Sequence, residues 1–455
     1  MLGAEEEGSV EWILPRRVGA RRAELHTDRP LVAGAPVPDG GIADDRPIRI
    51  VVRPAHLAQR SLEDRAHSFR SPPSVQPVAT IKPCHGCPRG MAPSNPLAAP
   101  RETRRFVRRI LRAYADAELT MMVHLGHVTG LWSTLTDGPG TSRQIARRSH
   151  QDERYVREWL HAVAAARIVA YDARSRRFSL APARARALSG PSIYNMAPGS
   201  LMIHLGAKNL DTVAAAFATG EGVPYSAYLP EFPRIMEEMN RRRMDALLVS
   251  GYVPLLPGLS EALARGIRVA DFGTGSGRVV HRLAQAFPRS RFLGIDRAAA
   301  PLARARAEAK SLGLRNVRFV RSDASGLRRF GPFDLITMFD AIHDLGRPEA
   351  TVRGVVRALR PGGWFLAQEP RASSVLLDNI GRTGARFLYG VSVTYCLPVS
   401  RSDGPGGLGT CWGEQRAKAL LRRSGLTGLR VHEAPGNALA LVFTARRPFS
   451  PRRSR

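Results

Sequence analysis

The rhythm of apolar and polar positions changes along the chain. Residues 1–97 keep no periodicity. Segments such as RPLVAGAPVPDGG and SFRSPPSVQPVATIKPCHGCPRG are rich in Pro, Arg and Gly, and they predict disorder or weak order. From about residue 100 the spacing becomes helical. RETRRFVRRILRAYADAELTMMVHLGHVTGLWSTL predicts a first helix. A short helix capped by Thr141 or Ser142 follows, then a longer one capped by Ser149, with Tyr155, Trp159 and Val163 on its buried side. RIVAYDARSRRFSL reads as two short strands around a turn. Helix, short turn, helix and hairpin make the winged-helix order, placed over 98–185. Residues 186–255 read as connecting helices around the loop GEGVPYSAYLPEF.

From 267 onward the period alternates between strand and helix. IRVADFG, RFLGID, VRFVRSD, FDLITMFD and GWFLAQEP are apolar strand runs, and GRVVHRLAQAF, PLARARAEAKSLG and PEATVRGVVRAL are helices between them. Such alternation predicts an α/β fold with a parallel, doubly wound sheet over 256–446. LRVHEAPG and NALALVFTAR, joined by Pro-Gly-Asn, read as a terminal hairpin, so the last strand is expected to run antiparallel. Residues 447–455 form a basic tail expected to be disordered.

Composition narrows the class. The 455 residues are 44% hydrophobic and 24% charged, normal for a globular protein, and no apolar run is long enough for a membrane span. The first residues, MLGAEEEGSVEW, carry acids where a secretion signal has a basic start, so a cytoplasmic location is expected. Met91 is an expected natural start, with the preceding ninety residues a spurious extension. Cys84 and Cys87 form one CHGC pair without the second pair that a structural zinc site uses, so no metal is expected. The net charge of +29 hints at nucleic acid, but residues 1–100 contribute only +2 and the remainder is spread over the chain, almost all of it arginine. The first turn of the second winged-helix helix holds Asp152 and Glu153, which repel phosphate. The hairpin's Arg174, Arg176 and Arg177 could still touch a backbone, so the module reads either as a DNA reader or as a dimerisation module; a nucleic-acid partner is not expected.

The stretch VADFGTGSGRVV carries the candidate chemistry. A strand running into glycines and then a helix is suited to a nucleotide-like cofactor. The dinucleotide pattern G-x-G-x-x-G places a third glycine where Arg278 stands, so G-x-G-x-G remains. Asp296 ends the next strand, 19 residues after Gly277, placed to accept from both hydroxyls of a ribose.

With RSDAS, FDLITMFDAIHDL and LRPGGWFLAQEP following in order, residues 256–446 resemble the class I S-adenosylmethionine-dependent methyltransferases. With the winged helix in front, 98–446 is similar to actinobacterial small-molecule methyltransferases that carry an N-terminal dimerisation domain. The resemblance implies S-adenosyl-L-methionine as cofactor, held by Asp271, Gly273, Thr274, Gly275, Gly277, Asp296, Arg297, Asp323, Ala324, Phe339 and Asp340, with Pro361, Gly362 and Gly363 making a turn. It also implies a homodimer.

Methyl transfer demands alignment and exclusion of water, and a base only where the acceptor must lose a proton. His343 is the candidate base and Asp344 its orienting partner; the alternative is a helix-start pair with Asp344 as cap. Some forty residues between the fifth strand and the last helix suit an acceptor lid. Tyr225, Phe387, Tyr389 and Tyr395 are the candidate acceptor contacts, with Cys396 beside them, although the lid aromatics also suit the core of one helix. The expected function is methylation of a small molecule, most simply on oxygen. The alternatives are a winged-helix regulator that senses S-adenosylmethionine or another ligand, and a methyltransferase of RNA or protein. MFDA stands where base methyltransferases carry an N-P-P-Y-type tetrapeptide.

Overall fold

The structure, a computed structural model, describes residues 100–449. The proposed start at Met91, the Cys84–Cys87 pair and the tail beyond 449 lie outside the described residues.

The chain enters through a helix over Arg101–Val128. Two tryptophans pin its C-terminal end to the next helices: Trp132 Nε1 donates to Val123 O at 2.9 Å and Trp159 Nε1 to Met122 O at 2.8 Å, with the rings edge to face. Thr141 caps the helix Ser142–Ser149 through a capping box with Gln144, because the first amides of a helix lack internal partners. Ser149 is the last residue of that helix and not the cap of the next one. Asp152 caps Glu153–Ala165 by accepting from the amides of Arg154 and Tyr155.

The buried face of Glu153–Ala165 is correspondingly Val156, Trp159, Leu160 and Val163, a helical i, i+3, i+4, i+7 set. Tyr155, one position and about 100° away, is 81% exposed, which corrects its expected burial. Strands β1 (Ala170–Asp172) and β2 (Arg177–Ser179) pair antiparallel and complete the winged helix.

Seven further strands form one sheet: β3 (Arg268–Phe272), β4 (Arg291–Asp296), β5 (Val317–Arg321), β6 (Phe333–Phe339), β7 (Leu359–Pro370), β8 (Thr427–Ala434) and β9 (Asn437–Arg446). Their spatial order is β5-β4-β3-β6-β7-β9-β8, parallel throughout except for β9, which runs antiparallel to both neighbours. The motif LRPGG lies inside β7 as an irregularity. Gly362 takes a φ of +77°, and the β6 register moves from Leu359 to Trp364 between Phe333 and Leu335. One face of the sheet packs on the helices Arg278–Ala286 and Ala299–Ser311, the other on Pro348–Ala358 and Glu414–Arg423. Strand order reverses beside β3, so the carboxyl ends of β3, β4 and β6 open on a crevice where open α/β sheets place ligands.

The segment between β7 and the helix Glu414–Arg423 folds as helix Thr383–Val391, a wide turn Ser392–Cys396 and helix Leu397–Ser402. It docks on the connecting helices: Tyr228 Oη donates to Thr394 O at 3.0 Å and the Val223 amide to Pro398 O at 3.0 Å. No single helix among the described residues is long and apolar enough to cross a membrane.

Candidate active site

A cavity of about 290 Å³ lies over the carboxyl ends of β3, β4 and β6. Its floor is the glycine turn after β3. The amides of Gly273 and Thr274 both donate to Ile295 O, at 2.9 and 3.0 Å, which draws the turn against β4. Gly273, Gly275 and Gly277 have φ of +76°, +52° and +78°, a region that side chains other than glycine's disfavour. A Cβ on Gly273 would stand 3.0 Å from the Ala341 methyl, whereas Gly275 opens on free space. The backbone there can therefore meet a ligand closely. Gly277 serves differently. It is the cap of Arg278–Ala286, and its missing Cβ makes room for Phe319 and Ala305 behind the turn; it does not line the cavity.

Two acids at strand ends face this floor. Asp296 accepts from the Gly275 amide through Oδ2 and from the Ala298 amide through Oδ1, both at 2.9 Å, while burial pushes its carboxyl above the usual range. Asp271 stands beside Thr337 in the β3–β6 register and accepts its hydroxyl at 2.6 Å; burial pushes its carboxyl up to about 6. Asp340 has a φ of +49°, strained for a residue with a side chain, at the end of β6. It is locked by a chain in which Tyr252 Oη donates to Gln368 Oε1 at 2.7 Å and Gln368 Nε2 donates to Asp340 Oδ2 at 2.8 Å. Burial raises the Asp340 carboxyl.

Of the expected cofactor residues, Asp271, Gly273, Thr274, Gly275, Asp296, Arg297, Asp323, Phe339 and Asp340 line the cavity. Ala324 begins the short helix Ala324–Arg329, and its side chain lies outside the described residues. Arg278 lines the cavity with its guanidinium engaged by two carboxylates. Its Nε donates to Asp245 Oδ1 at 2.6 Å and its Nη1 to Glu308 Oε1 at 2.8 Å. The helix Glu231–Leu247 adds Pro233, Met236, Glu237, Asn240 and Met244 to the wall. Their i, i+3, i+4, i+7, i+11 spacing is a readable stripe that the sequence reading passed over.

The expected acid–base pair is divided. Asp344 lines the cavity, but His343 lies behind it, 4% exposed. His343 Nδ1 is 2.7 Å from Glu369 Oε2, and Nε2 is 3.5 Å from Asp344 Oδ1. Glu369 is a buried acid in β7 that the sequence reading missed. Its Oε1 accepts from the Ile342 amide at 2.8 Å, and its Oε2 also accepts from Trp412 Nε1 at 3.1 Å. Desolvation alone lowers an imidazole, yet the charges of Glu369 and Asp344 outweigh it and hold His343 well above its ordinary value. Burial pushes Asp344 up to about 6 and the nearby Cys396 thiol up to about 11. Asp344 is no helix cap: the helix Pro348–Ala358 starts after Arg347 and has no side-chain cap.

Tyr225 and Tyr395 join the wall; Phe387 and Tyr389 do not. Those two stand on Thr383–Val391, whose buried positions are Ala385 and Leu388, and the Tyr389 hydroxyl accepts from Asn379 Nδ2 at 3.3 Å.

Residues 117–190 match the model of the Rv2258c-like winged HTH domain, and residues 263–396 that of a methyltransferase domain. The trans-aconitate 2-methyltransferase of Deinococcus radiodurans is 37% identical over 103 residues, 23% of this chain. The chain spans 38% of that relative's length. The structure of an O-methyltransferase family protein from Burkholderia thailandensis is similar at a TM-score of 0.57 and 16% identity, covering 76% of this chain and 98% of the other. Human N-acetylserotonin methyltransferase, solved in complex with S-adenosylmethionine, is similar at a TM-score of 0.53 and 14% identity, covering 75% and 98%. At these identities the likeness establishes a shared fold.

Proposed function

From a winged helix-turn-helix domain joined to a methyltransferase domain, we propose that the protein transfers a methyl group from S-adenosyl-L-methionine to a hydroxyl of a small molecule. The observation that carries this is the pair of buried Asp271 and half-buried Asp296 around the positive-φ glycine floor. The donor set fits the cofactor. The carboxylate of Asp296 suits ribose hydroxyls, Asp271 suits an ammonium group directly or through water, Asp323 suits an adenine amino group, and the bare backbone at Gly273 and Gly275 admits a close approach. Bound there, S-adenosylmethionine would supply an electrophilic methyl carbon, so that the acceptor oxygen–carbon bond forms as the carbon–sulfur bond breaks and its electron pair stays on sulfur.

This chain's residues align the acceptor, exclude water and take the proton. The hydroxyl proton passes to the Asp344 carboxylate, the member of the acid–base cluster on the cavity wall. His343, clamped by Glu369, holds Asp344 in place and offsets its charge. Trans-aconitate, named in the Deinococcus relative, is one acceptor to be tested.

The winged helix serves as a dimerisation module in this reading. Val107, Leu111, Tyr114, Met121, Leu125 and Val128 are exposed on Arg101–Val128 at heptad-like spacing, a stripe that one chain leaves uncovered. On the helix Glu153–Ala165, Arg154 pairs with Glu158 and Arg157 with Glu153, which weakens its claim on DNA phosphates.

Two measurements separate this reading from a ligand-sensing regulator: formation of S-adenosylhomocysteine with hydroxylated acceptors, and a mobility-shift assay on the protein's own promoter. Turnover without sequence-specific DNA binding is expected. Tight specific DNA binding without turnover overturns the reading.

A further inference from the structure

Donors of three kinds meet where the turn after β6 touches the segment docked beside it. His343 and Asp344 lie in the turn Ile342–Asp344, and the buried Cys396 ends the wide turn Ser392–Cys396. A ring nitrogen of His343, a carboxylate oxygen of Asp344 and Cys396 Sγ lie within 4.8 Å of one another. His343 Nε2 is 3.5 Å from Asp344 Oδ1. A nitrogen and an oxygen bound to one tetrahedral zinc ion stand about 3.4 Å apart, so this edge of the cluster already has the required length.

Two further observations point to a cation. His343 Nδ1 is engaged by Glu369 Oε2 at 2.7 Å, and Glu369 is itself fixed by Trp412 Nε1 and the Ile342 amide. A carboxylate on one imidazole nitrogen backs many metal-ligating histidines: it sets the ring's orientation and makes the other nitrogen, here Nε2, a better ligand. Asp344 Oδ1 is buried and lacks a hydrogen-bond partner among the described residues. A desolvated acceptor left so is costly, and a bound cation would remove that cost.

We propose that His343 Nε2, Asp344 and Cys396 Sγ form a zinc site, with water from the cavity that Asp344 lines as the fourth ligand. A thiolate beside an imidazole and a carboxylate suits zinc, whereas magnesium and calcium take oxygen ligands. On binding, the Cys396 thiol releases its proton to solvent, and so does Nε2 when it carries one. Thiolate and carboxylate then balance the divalent ion. Two ligands come from the turn after β6 and one from the docked segment, so the ion ties the two together. It also occupies the Asp344 carboxylate. In the methyl-transfer reading that carboxylate takes the acceptor's proton, so the zinc-free chain is the active form and zinc inhibits it.

The test uses the full chain with Cys84→Ser, Cys87→Ser and Cys411→Ser, which leaves Cys396 as the one thiol of the original four. After chelator treatment, calorimetric titration with zinc chloride is expected to give one site per chain. Cobalt(II) chloride is expected to give a thiolate-to-metal charge-transfer band, and magnesium chloride neither signal. Adding Cys396→Ser is expected to abolish the band and weaken zinc at least about 100-fold, because a hydroxyl stays protonated where a thiol ionises on the metal. Zinc should raise the melting temperature only while Cys396 is present. Zinc loading is expected to lower S-adenosylhomocysteine formation at least about ten-fold, reversibly with chelator. No zinc binding, cobalt bound without a thiolate band, or equal zinc affinity after Cys396→Ser overturns the site. Full turnover in the zinc-loaded chain overturns the inhibition. Absence of turnover in the zinc-free chain overturns the methyl-transfer reading, and the cobalt spectrum still decides the site.

Discussion

His343 Nδ1, in the short turn Ile342–Asp344 after β6, and Glu369 Oε2, near the end of the adjacent parallel β7, lie 2.7 Å apart, both buried. With Trp412 Nε1 on the same oxygen and the Ile342 amide on the other, both oxygens of Glu369 are engaged by neighbours. The charges of Glu369 and Asp344 raise the imidazole of His343 above its ordinary value, and the ring lies behind the cavity wall. In the proposed reaction the acceptor's proton goes to Asp344, the member of the cluster on the cavity wall.

Glu369→Gln tests that clamp. The amide keeps the shape but removes the charge that raises His343, so desolvation then governs and the imidazole pKa falls. The expected outcome is a kcat lower by about ten-fold or more with nucleoside affinity unchanged. The His343 ring, followed by NMR against pH, should titrate at lower pH than in the parent. An unshifted titration contradicts the assignment.

The pH dependence of kcat/KM follows from Asp344. Its carboxyl is pushed up to about 6 by burial, against the opposing charge of His343 and with Glu369, Arg297 and Cys396 also facing it. The active form is the carboxylate, so the rate is expected to rise as pH increases through about 6 and then level off. A profile flat from pH 5 to 8 contradicts this role.

Asp271→Asn separates stability from binding. The Asp271 carboxyl is raised from 3.8 to about 6 in the folded protein, so between those values the folded state holds a proton that the unfolded chain has lost. Its desolvation cost therefore grows as pH rises through that window and is fully present above about 6, at most about 3 kcal/mol. The variant is expected to melt higher than the parent at pH 7.5, with no such gain below pH 4, and to bind S-adenosylmethionine more weakly. Thermal unfolding at the two pH values checks it; a lower melting temperature at pH 7.5 counts against it.

The exposed stripe on Arg101–Val128 predicts a self-associating chain. Sedimentation should give a dimer, and the double substitution Leu111→Glu with Tyr114→Glu should give a monomer that still binds the nucleoside, since both residues lie outside the cavity. A parent that sediments as a monomer removes the role given to this helix.

The central strands of the sheet were legible because they are mostly buried and read as apolar runs, and the terminal hairpin because Pro435-Gly436-Asn437 marks it. Thr141 was legible as a cap. Ser149 was misleading because Asp152, three residues on, also suits a cap, and Tyr155 because it stands four residues from buried Trp159 yet at the edge of the stripe that Val156 begins. The cofactor half of the site followed from local order in the chain, since Asp271, Gly273, Gly275 and Asp296 each end a strand or make the turn. The buried support behind the walls did not. Glu369 and Gln368 in β7 and Tyr252 in the turn Leu248–Tyr252 act on partners far along the chain, and single side chains in buried runs carry no periodic mark of their partners. Phe387 and Tyr389 share a helix with buried Leu388, and only the docked helix shows which side faces the cavity.

The central claim is that the floor between Asp271 and Asp296 binds S-adenosylmethionine. Calorimetric titration of the purified chain with S-adenosylmethionine, repeated for Asp296→Asn, tests it most directly. One site per chain is expected, weakened at least about ten-fold in the variant by loss of the charged acceptor for the ribose hydroxyls. No binding by the parent, or equal binding by the variant, contradicts the account.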